Sequence, residues 1–319
     1  MSGRVTVILN PAAGRGRGAR AREPVAAAFA AVGVRDVRES AGPGDEYAVA
    51  RRALAEGSTT LVAVGGDGTW SQVGSAILDA GAPCRLALLA AGTGNDLART
   101  LGAPAHDPAA TARLACDGPD VAIDVGRIED HWFLNIAGFG FDIAVLEDVG
   151  KIPFLQGEAL YRFSALRQIL GYRGVEIGIA SPAREREAVR HLMLIVANAR
   201  YFGGAFHIAP GASLTDGRLD AIAIRDAAPL GRMRLFQAAG SGRHLEHAEA
   251  DAEQAESFTL RFTTPPAYET DGEYRRARSA TLEVRCVPRA LRVVTAAARA
   301  GTNAHPVVAG AALAPAGAP

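Results

Sequence analysis

Three glycine-rich runs, each directly behind a short apolar stretch, are the residues of this chain whose types and spacing first suggest chemistry. They are Asn10-Pro11-Ala12-Ala13-Gly14, Gly65-Gly66-Asp67-Gly68-Thr69 and Gly92-Thr93-Gly94-Asn95-Asp96. A backbone that wraps a phosphate needs several N–H groups aimed at one anion and residues that tolerate positive φ without a Cβ, and glycine meets both needs. A helix starting behind such a loop adds a favourable dipole. Taken singly, each loop is equally an ordinary turn between strand and helix. Gly14-Arg15-Gly16-Arg17-Gly18 lacks the spacing of a dinucleotide fingerprint, and no Gly-Lys-Ser/Thr follows to make a Walker loop. The middle loop says more, because Asp67 stands where a carboxylate repels phosphate unless a metal lies between them. It suggests a Mg²⁺-nucleotide, with a turn or helix-cap aspartate as the alternative. A second cluster, Glu269-Thr270-Asp271-Gly272-Glu273, sets three acids around one glycine, and residues two apart in an extended segment share a side. A solvated acidic hairpin turn is the other reading of it.

The elements that must position these residues follow from the apolar patterning. Strands are expected at 5–9, 61–64 and 86–89, each followed by its glycine loop and then a helix, to about residue 32, at 71–78 and at 97–101. Strand, glycine turn and helix in repetition predict an α/β nucleotide-binding lobe, a parallel sheet with helices on both faces, whose ligands bind at the carboxyl ends of the strands. The three loops are therefore expected to share one edge. From about Asp124 the grammar changes to period-two alternation at 219–224, 258–262 and 281–287, which predicts a mainly antiparallel β lobe. Two helical interruptions are expected at 158–170 and 230–247, and the last apolar run, 291–294, fits either lobe. The expected division is 1–124, 125–295 and an Ala/Gly/Pro-rich tail, 296–319, that contributes little core.

Composition narrows the function classes. The 319 residues are 49% hydrophobic with 34 basic and 34 acidic side chains, so the chain can form a core and is not built to coat nucleic acid or an anionic membrane. Lys151 is the only lysine, against 33 arginines, so a cation that meets phosphate here is a guanidinium. Cys84, Cys116 and Cys286 are far apart, without a Cys-x-x-Cys pair, which fits a reducing cytoplasm better than a disulfide framework or a zinc site. No signal peptide or run of 18 apolar residues is visible. In 158–170, Leu160, Phe163, Leu166 and Leu170 recur at helical spacing beside Arg162 and Arg167. That pattern suits either the rim of a lipid pocket or an ordinary helix covering a sheet. His244 and His247 with Asp251 read as a solvated helix end without metal chemistry.

Asn10 to Gly14, Gly65 to Thr69, Ala91 to Asp96 and Asp271-Gly272-Glu273, in this order and spacing, resemble the soluble diacylglycerol kinase and sphingosine kinase family, and most closely its bacterial lipid kinases. The resemblance covers nearly all of residues 1–295. It implies a β-sandwich second lobe and ATP held with Mg²⁺ between the lobes. The nucleotide contacts it implies are Asn10, Pro11, Ala12, Ala13, Gly14, Ser40, Gly66, Asp67, Gly68, Thr69, Trp70, Ser71, Gln72 and Thr93. Gln72 departs from members with an acid or asparagine there, and an amide adds no charge to a metal network.

The resemblance also places the catalytic base in Asp271-Gly272-Glu273. Glu273 is favoured, because its longer arm reaches a cleft from a turn while Asp271 braces the glycine. It further implies a structural Mg²⁺ on the Asp216 side chain and the backbone carbonyls of Ser213 and Arg218, where spacing alone reads Asp216-Gly217 as a hairpin turn. Asp124 either joins that network or is a buried hydrogen-bonding group. The expected activity is ATP-dependent phosphorylation of a lipid hydroxyl, most simply diacylglycerol to phosphatidic acid. It would be carried out by a cytoplasmic enzyme that touches the inner membrane face transiently, binds no nucleic acid and is compatible with a homodimer. The alternatives are a related kinase for NAD or a soluble hydroxyl compound, and a nucleotide-binding regulator that has lost turnover, for which Gln72 is the support.

Overall fold

The computed structural model describes residues 3–42, 44–103, 106–149, 164, 167–204 and 206–296. Its first lobe is built on β1 (Val5–Leu9), β2 (Val37–Glu39), β3 (Thr60–Gly65) and β4 (Arg85–Ala90), parallel in the order β2-β1-β3-β4. All six residues of β3 are buried, as a parallel strand covered on both faces requires. Alternate side chains feed two cores. Val7, Leu9, Val62 and Val64 pack with Val25 and Phe29 of α1 (Ala13–Ala31) and Ala112 and Ala115 of α5 (Pro108–Asp117). On the other face Ile8, Leu61 and Ala63 pack around Trp70, with α2 (Asp45–Ala55), α3 (Asp67–Ala80) and α4 (Asp96–Leu101).

The second lobe is antiparallel. Its strands are β5 (Asp120–Ile128), β6 (His131–Phe133), β7 (Ile136–Gly140), β8 (Val175–Ala180), β9 (Glu185–Ala197), β10 (Leu219–Arg225), β11 (Ala250–Ala255), β12 (Ser257–Arg261), β13 (Ala267–Thr270), β14 (Glu273–Arg276) and β15 (Thr281–Val294). The long β9 pairs with β7, β8 and β10, and Phe133, Phe139, Phe258 and Tyr268 fill the sandwich interior. A second layer, α6 (Phe141–Val149) and α7 (Pro229–Ala239), packs Phe141 and Leu235 against Ile195 and Ile222. The helix expected over 230–247 ends at Ala239, because Gly240 and the left-handed Gly242 (φ 76°) break it, and only a 3₁₀ turn follows at Arg243–Glu246. His244 is fully buried in that turn and Nε2 donates to the Ile208 carbonyl at 2.9 Å, so the solvated helix end is corrected to a core histidine. The segment 158–170, apart from 164 and 167–170, and the tail beyond 296 lie outside the described residues.

The lobes share one sheet through β15. Arg292 and Val293 pair in parallel with Arg85 and Leu86 of β4, while β5 runs antiparallel beside β15 from Ile128 to Asp120. The register shifts between Val287 and Leu291, where Arg289 takes φ 51°. Asp124, wholly buried, holds that irregularity: Oδ1 accepts the Arg289 N–H at 2.8 Å, and Oδ2 accepts the Gly217 N–H at 2.7 Å. One carboxylate thus ties the strand crossing to the loop that contains Asp216. Removing it in Asp124→Ala leaves two partly buried donors without their partner, and at about 1–2 kcal/mol each the variant is expected to lose roughly 3 kcal/mol in urea unfolding. A loss below about 1 kcal/mol would show that water replaces the carboxylate without consequence.

Candidate active site

The three glycine loops meet at the carboxyl edge of β1, β3 and β4. Asn10 Nδ2 donates to Thr69 Oγ1 at 3.0 Å, and its Oδ1 accepts the Ala12 N–H at 2.9 Å. Gly14, Arg15 and Gly16 all take positive φ and form a left-handed turn before the regular part of α1. A Cβ on Gly14 would lie 2.0 Å from the Ala91 carbonyl oxygen, and one on Gly92 would lie 2.4 Å from Gly66 Cα, so the loops touch backbone to backbone. Arg17 fastens them further, donating from Nε to the Gly14 carbonyl and from Nη2 to the Gly92 carbonyl at 3.2 and 2.5 Å. Pro11 and Ala13 are half-buried at this edge, and Ala12, Thr93 and Gly68 are exposed. Arg15 is exposed on the left-handed turn and makes no ion pair among the described residues.

Part of the expected nucleotide set points elsewhere. The Trp70 indole is fully buried and donates to the Ala63 carbonyl, so its side chain serves the core, as the helix starting at Asp67 turns residue 70 inward. Ser40 is buried at the end of β2 and donates to Glu46 Oε1 at 3.1 Å, and Ser71 is buried with its hydroxyl near Asp271.

Asp67 Oδ1 accepts the Leu97 N–H at 3.1 Å and Asn135 Nδ2 at 3.3 Å. Asp96 sits beside it, nearly buried. Its Oδ2 accepts the Gly204 N–H at 2.9 Å, while Oδ1 has no hydrogen-bond donor and lies 3.5 Å from Arg99 Nη1. Burial, then the negative charge of Asp67, pushes the Asp96 carboxyl up to about 6. Two carboxylates crowding each other, one with a donorless oxygen, suit a divalent cation.

Across the cleft, Asp271 is the turn residue of the β13–β14 hairpin, at φ 51°, followed by Gly272 at φ 88°. Its Oδ2 accepts the Leu134 N–H at 2.7 Å, and its Oδ1 accepts the N–H groups of Asn135 and Ile136 at 2.8 and 3.1 Å. Burial raises this carboxyl to about 6 even so. The hairpin turn also overturns the expectation that Glu269, Asp271 and Glu273 share one side, since two positive-φ residues break the strand between them. Glu273 alone opens on the cleft, its side chain 37% exposed. It accepts Gln72 Nε2 of α3 and pairs with Arg275 Nη2 at 2.8 Å.

Glu269 turns inward and meets Asp142 at the start of α6. Both carboxyls crowd Gly138, and neither oxygen of Asp142 nor Oε1 of Glu269 has a donor from elsewhere in the protein. Burial, then the Asp142 charge, drives the Glu269 carboxyl well up. Asp142 is itself raised by burial.

Asp96 and Arg17 lie in runs named from the sequence but were given no role there, and Asn135 and Asp142 were not singled out. The available signal for Asn135 is a lone amide inside the otherwise apolar run from Trp132 to Phe141. The Asp216 loop forms a separate locus. Asp216 is exposed, with Oδ1 accepting the Arg218 N–H at 3.0 Å, and Ser213 Oγ lies 3.5 Å from Thr215 Oγ1. Buried Asp220 is raised to about 6 by desolvation, the Gln254 amide opposing and the Asp216 charge adding. Among the described residues no three His, Cys, Asp or Glu side chains form a cage, so an ion here would be held by one carboxylate, carbonyls and water.

The Asp142–Glu269 pair gives the site a pH signature. Because the Asp142 carboxyl titrates higher in the folded chain than unfolded, its contribution to stability is complete at acid pH and is lost as pH rises through the folded value. Asp142→Asn is therefore expected to gain melting temperature relative to the parent at about pH 7.5 and to lose that advantage on acidification towards about pH 4.5. A difference constant across that range in thermal melts would refute the buried-acid assignment.

Two family models cover the chain, the diacylglycerol kinase catalytic domain over residues 4–128 and the YegS C-terminal NAD kinase beta sandwich-like domain over 135–295. A diacylglycerol kinase of Mycobacterium tuberculosis is 30% identical over 300 residues, spanning 92% of this chain and 95% of that protein. A protein of Pseudomonas fluorescens described as "Probable lipid kinase YegS-like" is 34% identical over 247 residues, 70% of this chain and 80% of its own. The crystal structure of a diacylglycerol kinase from Bacillus anthracis shares the fold with a TM-score of 0.73 at 20% identity, over 92% of this chain and 97% of that one. With loops and acids arranged as described and both lobes matched, the chain belongs to the bacterial diacylglycerol kinase and YegS-like lipid kinase family.

Proposed function

We propose that this chain transfers the γ-phosphoryl group of ATP to the hydroxyl of a lipid, with diacylglycerol the leading acceptor and phosphatidic acid the product. The observation that carries the reading is the position of Glu273. It is the cleft-facing acid of its hairpin and is bonded to Gln72, on the helix that begins in the Asp67 loop. The relatives named diacylglycerol kinase and lipid kinase support the acceptor class.

In this reading the N–H groups of the three loops hold the phosphates, with the exposed Arg15 guanidinium beside them. Asp67 and Asp96 would hold Mg²⁺ with the nucleotide, and Asp216 with the Ser213 and Arg218 carbonyls would hold a structural one. Bound Mg²⁺ supplies neutralisation of phosphate charge. Glu273 accepts the proton of the acceptor hydroxyl as the O–P bond forms, because an alcohol cannot be ionised in advance near neutral pH. Gln72 and Arg275 orient that carboxylate. The enzyme meets its acceptor at a membrane surface that it visits transiently.

The test is Mg²⁺-dependent ATP consumption with detergent-dispersed diacylglycerol and other lipid alcohols, set against soluble alcohols and NAD. Turnover confined to lipids is expected; turnover on NAD or a soluble alcohol with none on lipids would replace the reading. In the same assay Asp67→Asn, nearly isosteric, is expected to bind Mg²⁺-ATP at least about tenfold more weakly by calorimetry. Unchanged affinity with unchanged turnover would remove Asp67 from the metal site.

A further inference from the structure

Large apolar side chains exposed to solvent are few among the described residues, and three of the five are gathered in one region. Leu230 and Met233 on α7 are 72% and 50% exposed, and Leu170 is 66% exposed on the helical turn at 167–171. Leu230 and Met233 are three residues apart and therefore share the outer face of α7, with Arg234 beside them. The opposite face supplies Arg232, Leu235 and Ala239 to the interior. Buried Arg232 fixes the two segments side by side. Its guanidinium donates to the Ile169 carbonyl at 2.7 Å, to the Tyr172 carbonyl at 2.7 Å and to Asp226 at 2.8 Å.

The charge carried by the two segments themselves has one sign. Neither α7 nor the stretch 167–174 contains an acid. Arg173 and Arg234 are exposed and make no ion pair among the described residues. Of the nearby acids, Asp226 is paired with Arg232, the buried Asp148 with Arg167 at 3.2 Å, and the exposed Glu147 accepts the Tyr274 hydroxyl at 2.9 Å. Exposed Leu and Met flanked by unpaired guanidinium groups on a packed helix match an anionic bilayer surface, where apolar side chains enter the headgroup boundary and arginines meet lipid phosphate. A soluble protein partner would more often present acids to such a face, but the exposed aliphatic groups would then have no apolar phase to enter.

We infer that the outer face of α7, with the adjoining 167–173 segment, is the surface by which this protein docks on anionic membranes. The inference rests on the lipid-kinase reading for its purpose, but its deciding readout is vesicle binding, with turnover as a control. The full chain is sedimented with vesicles of phosphatidylcholine alone and of equimolar phosphatidylcholine and phosphatidylglycerol. Binding to the anionic vesicles, weakened by added salt, is expected. The double variant Leu230→Ser/Met233→Ser is expected to bind them at least about tenfold more weakly, and Arg234→Gln about fivefold more weakly. Both should keep the parent melting temperature and the parent activity on detergent-dispersed lipid. Arg22→Gln, on α1, should bind as the parent does.

Equal binding of parent and double variant, or no vesicle binding by the parent, overturns the inference, as does equal affinity for neutral and anionic vesicles. Face-dependent vesicle binding by a protein that phosphorylates no lipid would leave the docking surface standing and remove the proposed reaction.

Discussion

A single buried carboxylate, that of Asp271, sets the geometry on which the site depends. An anion out of water is costly unless donors surround it, and here three consecutive backbone N–H groups, from Leu134 to Ile136, supply them. The carboxylate therefore fastens the β13–β14 turn to the start of β7. Asn135, whose N–H it takes, reaches with its amide to Asp67. The hairpin of the second lobe and the Asp67 glycine loop of the first are thereby links in one hydrogen-bonded chain, and Glu273 emerges from the turn opposite α3. Asp124 does related work at a distance, holding the irregular crossing of β15 that makes the two lobes one sheet.

Around this frame the structure repeatedly sets two acids together. Asp67 with Asp96, Asp142 with Glu269, and Asp216 with Asp220 each contain a carboxyl whose proton affinity is raised by burial, with its neighbour's charge adding to the rise in Asp96, Glu269 and Asp220. Like charges so placed are relieved either by a cation or by a proton. The pairs at Asp67 and Asp216 open on loops or solvent, where a hydrated magnesium ion can reach them. The Asp142–Glu269 pair is sealed inside, and a shared proton is its remedy. Glu273 differs from all of these: it is partly exposed and paired with Arg275.

Much of the first lobe was legible because its physics is local. Three apolar runs ending in glycine mark parallel strands, and the close approaches of Gly14 to Ala91 and of Gly66 to Gly92 explain why glycine stands there. Short or polar strands left no signal: β2 is three residues, and the first half of β9, from Glu185 to Arg190, is largely exposed and charged. The antiparallel lobe was recognisable from β10, β12 and β15, which alternate, but not from the buried half of β9, whose run from Leu192 to Ala197 is apolar on both sides. At the site, the acids were visible but their division of labour was not. Alternation puts Glu269, Asp271 and Glu273 on one side, and only the positive φ of Asp271 and Gly272 sends the first two inward and the third to the cleft. Asn135 and Asp142 matter through partners more than 60 residues away, Asp67 and Glu269, a separation that no local pattern records.

The division of roles between Asp271 and Glu273 is most directly tested by single-turnover phosphoryl transfer in Glu273→Gln and Asp271→Asn, with ATP affinity and melting temperature measured on the same samples. Loss of a general base costs about a hundredfold to ten-thousandfold in the chemical step. Glu273→Gln should show that loss with parental ATP affinity and melting temperature, whereas Asp271→Asn should lower the melting temperature together with the rate. A Glu273→Gln enzyme that still transfers phosphate at the parental rate, beside an Asp271→Asn enzyme that melts normally and transfers none, would contradict the account.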